Sequence, residues 1–388
     1  SEGRRYMGMQ TSLLWHFTAS AFAERLEEEI EVWDLFCGAG GFSEGARQAG
    51  CRIAFACDVD EVAVGVHAAN HPDSTHVVCT LPCAVPFPVD GRRFHVHGSP
   101  PCQRFSTASG GAGSSEAAVR HAEWLVSWYI DTALASSATS WSMEQVASPS
   151  VLSILESKRA DNRSNIDYEV FDFSMLGVPQ HRRRVIAGTP SLIAKLRRQT
   201  MTNRRNKVSD FIPNCRGTHI RHSVNWTTRW KSDDGITKYK YKKAGWGDFL
   251  TPINKPSPTI VAKRVHNWVS KTQDRLSHET LSPKDAASLQ TFPSTYTFTV
   301  CNTMAHKLIG NAVPPFVADL IMGPENSRES SVVLECEQAR AVANKQLVLA
   351  DPGSPSYSSK KHTQVGSEHG RRVHSQGHGH VERGKRPF

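Results

Sequence analysis

Residues Asp34–Gly45 read DLFCGAGGFSEG and follow the run EVW. An apolar strand that runs into glycines and then into FSEGARQA, a stretch of helical composition stopped by Gly50, is a strand–turn–helix unit. Such a unit brings bare backbone and a helix start close to a ligand. The glycines fall at 38, 40 and 41, so the spacing is G-x-G-G and not the dinucleotide fingerprint G-x-G-x-x-G. Asp58 lies 58 − 38 = 20 residues beyond Gly38, at the end of the apolar run CRIAFA, where an acid grips a pair of ribose hydroxyls. Turn and acid together predict an adenosine-containing ligand, and nothing in them asks for phosphates.

The alternation continues outward from this unit. EVAVGVHAANH predicts a second helix, and RFHVHG a third strand that delivers the chain to Pro100 and Pro101. SSEAAVRHAEWLVSWYIDTALA predicts a long helix, with Val119, Ala122, Val126, Tyr129 and Ile130 at helical spacing. Strands alternating with helices over residues 30–190 predict an α/β fold, a doubly wound and mostly parallel sheet with helices on both faces. After residue 190 the pattern breaks into a basic segment rich in Gly, Pro and Asn that carries Trp226, Trp230, Tyr239, Tyr241 and Trp246. It reads as a smaller, loop-rich domain. Helical character returns at SPKDAASLQTF and after GNAVPP, and beyond about residue 324 the apolar density is lost.

The chain has 388 residues, enough for two domains. It has no apolar run of 18 residues, so neither a transmembrane helix nor a membrane partner is expected. Nine cysteines, an odd number without a C-x-x-C pair, predict reduced thiols in an intracellular compartment (cytoplasm, nucleoid or nucleus) and no metal site. The chain begins at Ser1 and not at methionine, so a start further upstream is expected. The net charge of +9 is concentrated. Between Ser191 and Leu250, fourteen Lys or Arg and four Asp give 14 − 4 = +10, which leaves −1 for all other residues. A basic block on a neutral body predicts a polyanionic partner.

Six stretches carry the chemistry: DLFCGAGGFSEG; GSPPCQRFS at Gly98–Ser106; MEQV at Met143–Val146; VPQHRRRVI at Val178–Ile186; LSPKDAASLQTFP at Leu281–Pro293; and KLIGNAVPP at Lys307–Pro315. In this order, over residues 30–320, the chain resembles the DNA (cytosine-5) methyltransferases that use S-adenosyl-L-methionine. Carbon 5 of cytosine is a poor nucleophile until a thiolate adds at carbon 6. The resemblance makes Cys102 that nucleophile, on a backbone restricted by Pro100 and Pro101. It makes Glu144 the acid at ring nitrogen 3, and has Arg182 and Arg184 hold the base, the glutamate and the nearby backbone. For the cofactor it implies that Phe36, Cys37, Gly38, Ala39, Gly40 and Gly41 hold the methionine part and that Asp58 holds the ribose. Val59 is then set against adenine, Pro101 borders the pocket, and Asn311 and Val313 close it. Five residues depart from the usual pattern. Gln145 replaces an asparagine, Thr80 an acid that reads the adenine amine, Lys284–Asp285 an Arg–Glu pair, and Ser288 an arginine.

The expected organisation is an N-terminal extension (1–29), a catalytic domain (30–190), a target-recognition domain (191–301), a return segment completing the catalytic domain (302–325) and a disordered basic, His-rich tail (326–388). A monomer acting on double-stranded DNA with the target base flipped out of the stack follows from the resemblance, in the setting of restriction–modification. Two other readings stay open: a transfer-RNA cytosine-5 methyltransferase built on the same motifs, and a DNA-binding protein with a degraded catalytic site.

Overall fold

The computed structural model describes residues 29–101, 116–161, 165–202, 205–221, 228–231, 237–240, 250–262, 266–271 and 276–324. Cys102, the extension up to residue 28 and the tail from residue 325 lie outside the described residues.

The main sheet is built around β1 (Glu31–Leu35), all of whose residues are buried. Val32 packs into one core layer and Trp33 and Leu35 into the other, as a strand covered on both faces requires. There follow α1 (Gly41–Gln48), β2 (Arg52–Asp58), α2 (Glu61–Asn70), β3 (Thr75–Val78) and β4 (Phe94–Gly98). After them come α3 (Glu116–Ala135), β5 (Ser140–Gln145), α4 (Pro149–Ala160), β6 (Asp167–Asp172), β7 (Arg183–Gly188) and α5 (Pro190–Thr202). The seven strands form one sheet in the order β3-β2-β1-β4-β5-β7-β6. The first five are mutually parallel, and β7 runs against both β5 and β6. The expected mostly parallel, doubly wound sheet is therefore present. RFHVHG is its fourth strand and not its third, because β3 precedes it as a half-exposed edge strand.

The smaller layer begins with the single turn α6 (Val208–Phe211) and includes β8 (His219–Arg221), β9 (Thr228–Lys231), β10 (Thr237–Lys240), β11 (Leu250–Pro252), β12 (Asn267–Lys271) and β13 (Leu276–Thr280). Four of these strands make an antiparallel sheet, β11-β8-β12-β13, and β9 and β10 form a separate pair. Ile220 and Trp268 of the four-stranded sheet pack with Leu281, with Leu289 of α7 (Pro283–Leu289) and with Ala305 and Ile309 of α8 (Asn302–Asn311). Helix α7 starts on a reciprocal cap: Asp285 N donates to Ser282 Oγ and Ser282 N donates to Asp285 Oδ2, with Pro283 in the first turn.

Two placements bear on the expected boundaries. Helix α5 begins at residue 190, and its Leu192, Ile193 and Leu196 lie in the core of the main sheet. In the return segment α8 packs on the smaller core, while α9 (Pro315–Met322) packs on the main sheet beside α1. The α1–α9 approach is close enough to demand glycine. A Cβ on Gly45 would lie 1.9 Å from the Pro315 carbonyl oxygen, and one on Gly41 2.2 Å from that of Val313. Two expected site motifs, the glycine turn and GNAVPP, are thus in van der Waals contact through bare backbone.

Candidate active site

The turn after β1 carries Phe36, Gly38 and Gly40 at positive φ. Tyr296 O–H donates to the Ala39 carbonyl beneath it, and Cys37 N donates to Cys57 O at 3.0 Å. A Cβ on Gly40 would strike Tyr296 and His67, whereas one on Gly38 would meet nothing within 4 Å. The turn is packed from below and open at Gly38. Asp58, at the C-terminal end of β2, accepts from Gly38 N at 2.9 Å through Oδ2 and from Asp60 N at 2.9 Å through Oδ1. Burial pushes its carboxyl up against the pull of these amides. Each carboxylate oxygen has two acceptor sites, so Asp58 retains capacity for a further donor on each side. Next to it Val59 is 63 % exposed, an aliphatic face turned to solvent. This set fits an adenosine group: an open turn, an acid with spare acceptors, and an apolar face beside it. Thr80 is exposed just past β3, Val313 is buried against α1, and Asn311 is exposed at the end of α8. Asp60 caps α2 and pairs with Lys307 Nζ at 3.0 Å, which ties KLIGNAVPP to this strand end.

Behind the turn lies a buried acid that the sequence reading passed over. Asp34 is 1 % exposed, and burial raises its carboxyl to about 7 despite a 2.7 Å hydrogen bond from Ser43. Ser43 Oγ is also 2.9 Å from His67 Nε2. A carboxyl with a raised folded-state pKa holds its proton more tightly when folded. Its contribution to stability is therefore complete below the unfolded value near 3.8 and is lost as pH rises through about 7. Asp34→Asn is expected to gain stability relative to the parent between pH 5 and pH 8, by a few kcal/mol at most. Urea unfolding at the two pH values checks this, and an equal difference at both would show that Asp34 does not titrate in this range.

The second half of the site lies on β5 and β7. Glu144 pairs in register with Ile186, so Arg184, two residues along β7, projects from the same face and reaches Glu144 diagonally. Arg184 Nε lies 2.9 Å from the buried Glu144 Oε1, an ion pair by charge without good hydrogen-bond alignment. Arg182 takes a different post. It is 2 % exposed, and its guanidinium donates to the carbonyls of Ile260 (3.1 Å), Gly310 (3.2 Å) and Ala312 (3.2 Å). Of the roles expected for the two arginines, Arg184 takes the glutamate and Arg182 the nearby backbone.

Three glutamines complete the frame. Gln145 Nε2 donates to the Pro100 carbonyl at 2.9 Å, and its Oε1 accepts from Val146 N at 2.7 Å. The longer amide that replaces the usual asparagine thus grips the proline platform. Gln180 accepts from Ile260 N at 3.0 Å and donates to Leu289 O (2.9 Å) and Gln290 Oε1 (2.7 Å), while Gln290 donates to Ile309 O at 2.6 Å. Gln180 and Gln290 stood inside the quoted motifs, but the partners of Gln180 lie 80 to 110 residues away, where no local spacing points. Among the described residues no group of His, Cys, Asp and Glu is arranged to hold a metal ion, and no helix is long and apolar enough to cross a membrane.

The chain is 26 % identical over 312 residues to the type II methyltransferase M.HgiDI of Herpetosiphon aurantiacus, covering 74 % of this chain and 90 % of that protein. It is 26 % identical over 322 residues to M.HindV of Haemophilus influenzae, covering 75 % and 96 %. The fold is similar to the crystal structure of the Schizosaccharomyces pombe Dnmt2 methyltransferase, with a TM-score of 0.50 at 13 % identity over 81 % of this chain and 99 % of that one. Residues 30–324, from the strand before the glycine turn to the end of α9, match the C-5 cytosine-specific DNA methylase family, so the chain belongs to that family and its activity is methyl transfer to carbon 5 of cytosine in DNA.

Proposed function

We propose that the protein moves a methyl group from S-adenosyl-L-methionine to a cytosine flipped out of double-stranded DNA, through a covalent bond between Cys102 and carbon 6 of the base. The observation that carries this reading is the pairing of Glu144 with Arg184 on the strand whose next residue, Gln145, holds the Pro100 carbonyl. Acid and thiol-bearing peptide are therefore built from adjacent strands, β5 and β4.

The thiolate of Cys102 adds to carbon 6, and electron density moves into the ring toward nitrogen 3. Glu144 in its protonated form would give a proton to nitrogen 3 as that charge builds, and Arg184 would hold the carboxylate that remains. The ring is now an enamine, and S-adenosylmethionine supplies an electrophilic methyl group to carbon 5. Water takes the carbon 5 proton, the double bond re-forms, the sulfur leaves as the thiolate, and nitrogen 3 returns its proton to Glu144. The open turn at Gly38 and the half-buried Asp58 would hold this donor. Basic residues of the smaller layer supply phosphate contacts. Two early members of the basic block have other duties: Lys195 Nζ donates to the Ile321 and Gly323 carbonyls, and Arg197 pairs with Asp167 and Glu169.

A duplex with 5-fluorocytosine at the target tests the reading, because fluorine cannot leave as a proton does. The protein is expected to form an adduct that survives denaturation only with S-adenosylmethionine present. A fluorinated RNA stem-loop run beside it is expected to form none, and capture on RNA alone would overturn the duplex-DNA assignment. Glu144→Gln is expected to lower turnover by about 100- to 1000-fold with cofactor affinity unchanged, as measured by single-turnover kinetics and equilibrium titration. Unchanged turnover would remove Glu144 from the reaction.

A further inference from the structure

A file of five hydrogen-bonding side chains runs between β4 and β5. Ser140 Oγ lies 2.7 Å from His95 Nδ1, and His95 Nε2 lies 2.8 Å from Ser142 Oγ. Ser142 Oγ lies 2.8 Å from His97 Nδ1, and His97 Nε2 lies 3.1 Å from Ser99 Oγ. His95, Ser142 and His97 are all buried. Burial holds both imidazoles neutral, His95 at about 3 and His97 well below its ordinary value. A neutral imidazole has one N–H and one bare nitrogen, and Ser142 has one O–H between two imidazoles. Ser142 therefore donates to one ring and accepts from the other, so the file has one direction along its length. In either direction both nitrogens of His97 are used. Its ring plane is held from a third side by Phe42 of α1, stacked at 3.5 Å with the planes 2° apart.

Buried polar groups cost more than aliphatic ones of the same shape, even when satisfied. Their use shows at Ser99, the residue before the proline platform. Pro100 is held by Gln145, and Ser99 is held through His97 by Ser142. Both holds originate on β5, on either side of Glu144. We propose that His97 is a positioning residue: it carries the placement of β5 to Ser99 and so sets the thiol-bearing peptide in register with Glu144. This rests on the roles of Cys102 and Glu144 given under Proposed function.

The test is the rate of covalent capture on the 5-fluorocytosine duplex with S-adenosylmethionine, for the parent, His97→Leu, Ser99→Ala and the double variant. Leucine fills much of the imidazole volume without its nitrogens. Ser99→Ala, at a partly exposed position, leaves the core untouched and keeps the test valid if His97→Leu does not fold. Each single variant is expected to bind the cofactor as the parent does and to capture about 10- to 100-fold more slowly. The double is expected to be no slower than His97→Leu, because both changes break one path. A purely structural His97 would lower the melting temperature and leave the capture rate of folded protein unchanged. Parent capture with unaltered rates in Ser99→Ala or folded His97→Leu overturns the positioning role. So do losses that multiply in the double. A parent that captures nothing overturns the reaction on which the role depends.

Discussion

Cys102→Ala is expected to bind cofactor and DNA, to form no adduct with 5-fluorocytosine, and to lose methyl transfer by about ten-thousand-fold or more. The sheet order supports this choice among the thiols. β4 is the immediate neighbour of β5, and Gly98 pairs with Met143, so the peptide leaving β4 emerges beside Glu144. Cys37, Cys51 and Cys57 are buried. Cys79 and Cys83 lie 3.3 Å apart just beyond β3, which is four places from β5 in the sheet. At about 4.8 Å per strand that is roughly 19 Å, too far for one cytosine to span. Cys79→Ala and Cys83→Ala are therefore expected to form adducts at the parent rate. Mass spectrometry of the trapped product checks the assignment, and an adduct persisting in Cys102→Ala would refute it.

Arg182→Met is expected to destabilise the protein by about 3 kcal/mol or more, since three carbonyls in a buried setting lose their donors together. Lysine is expected to recover only part of this, because a single ammonium lacks the planar fork that reaches Ile260, Gly310 and Ala312 at once. Cofactor affinity should fall along with stability, since Ala312 leads to Val313, whose carbonyl lies against Gly41. Urea midpoints and cofactor titration read the two effects. A midpoint equal to that of the parent would mean that water or neighbouring amides replace the guanidinium.

The main sheet was legible where local chemistry decides it. A strand that runs into Gly38–Gly41 and an acid that ends the next strand are both short-range signals. β3 was not legible, because Thr75–Val78 is a half-exposed edge segment of four residues without an apolar run. The small antiparallel strands escaped for a related reason: TRWK and TKYK each carry two charges and a single aromatic residue. Residues 191–202 were grouped with the basic block by charge, yet α5 is placed by Leu192, Ile193 and Leu196 on its apolar side. In the proposed site, the motifs point to Cys102, Glu144 and Asp58. They do not point to the duties of Gln145, Gln180 and His97, because each depends on a partner set opposite by strand register or by a chain return. RFHVHG reads as a strand whatever its histidines touch. Only the β4–β5 register puts Ser142 across from His97.

The glycine-lined seam between α1 and α9 has a consequence for synthesis of the protein. Helix α1 is made early, but the carbonyls that press on Gly41 and Gly45 belong to residues 313 and 315. At 5–20 residues per second the ribosome takes roughly 13–55 s to travel between them. Throughout that interval the glycine turn and α1 lack the backbone of residues 313–315 against them, so the unfinished chain is expected to be inactive. A product truncated before α9 is expected to be inactive in a methyl-transfer assay. The same seam predicts that two fragments divided within the smaller layer regain activity when brought together.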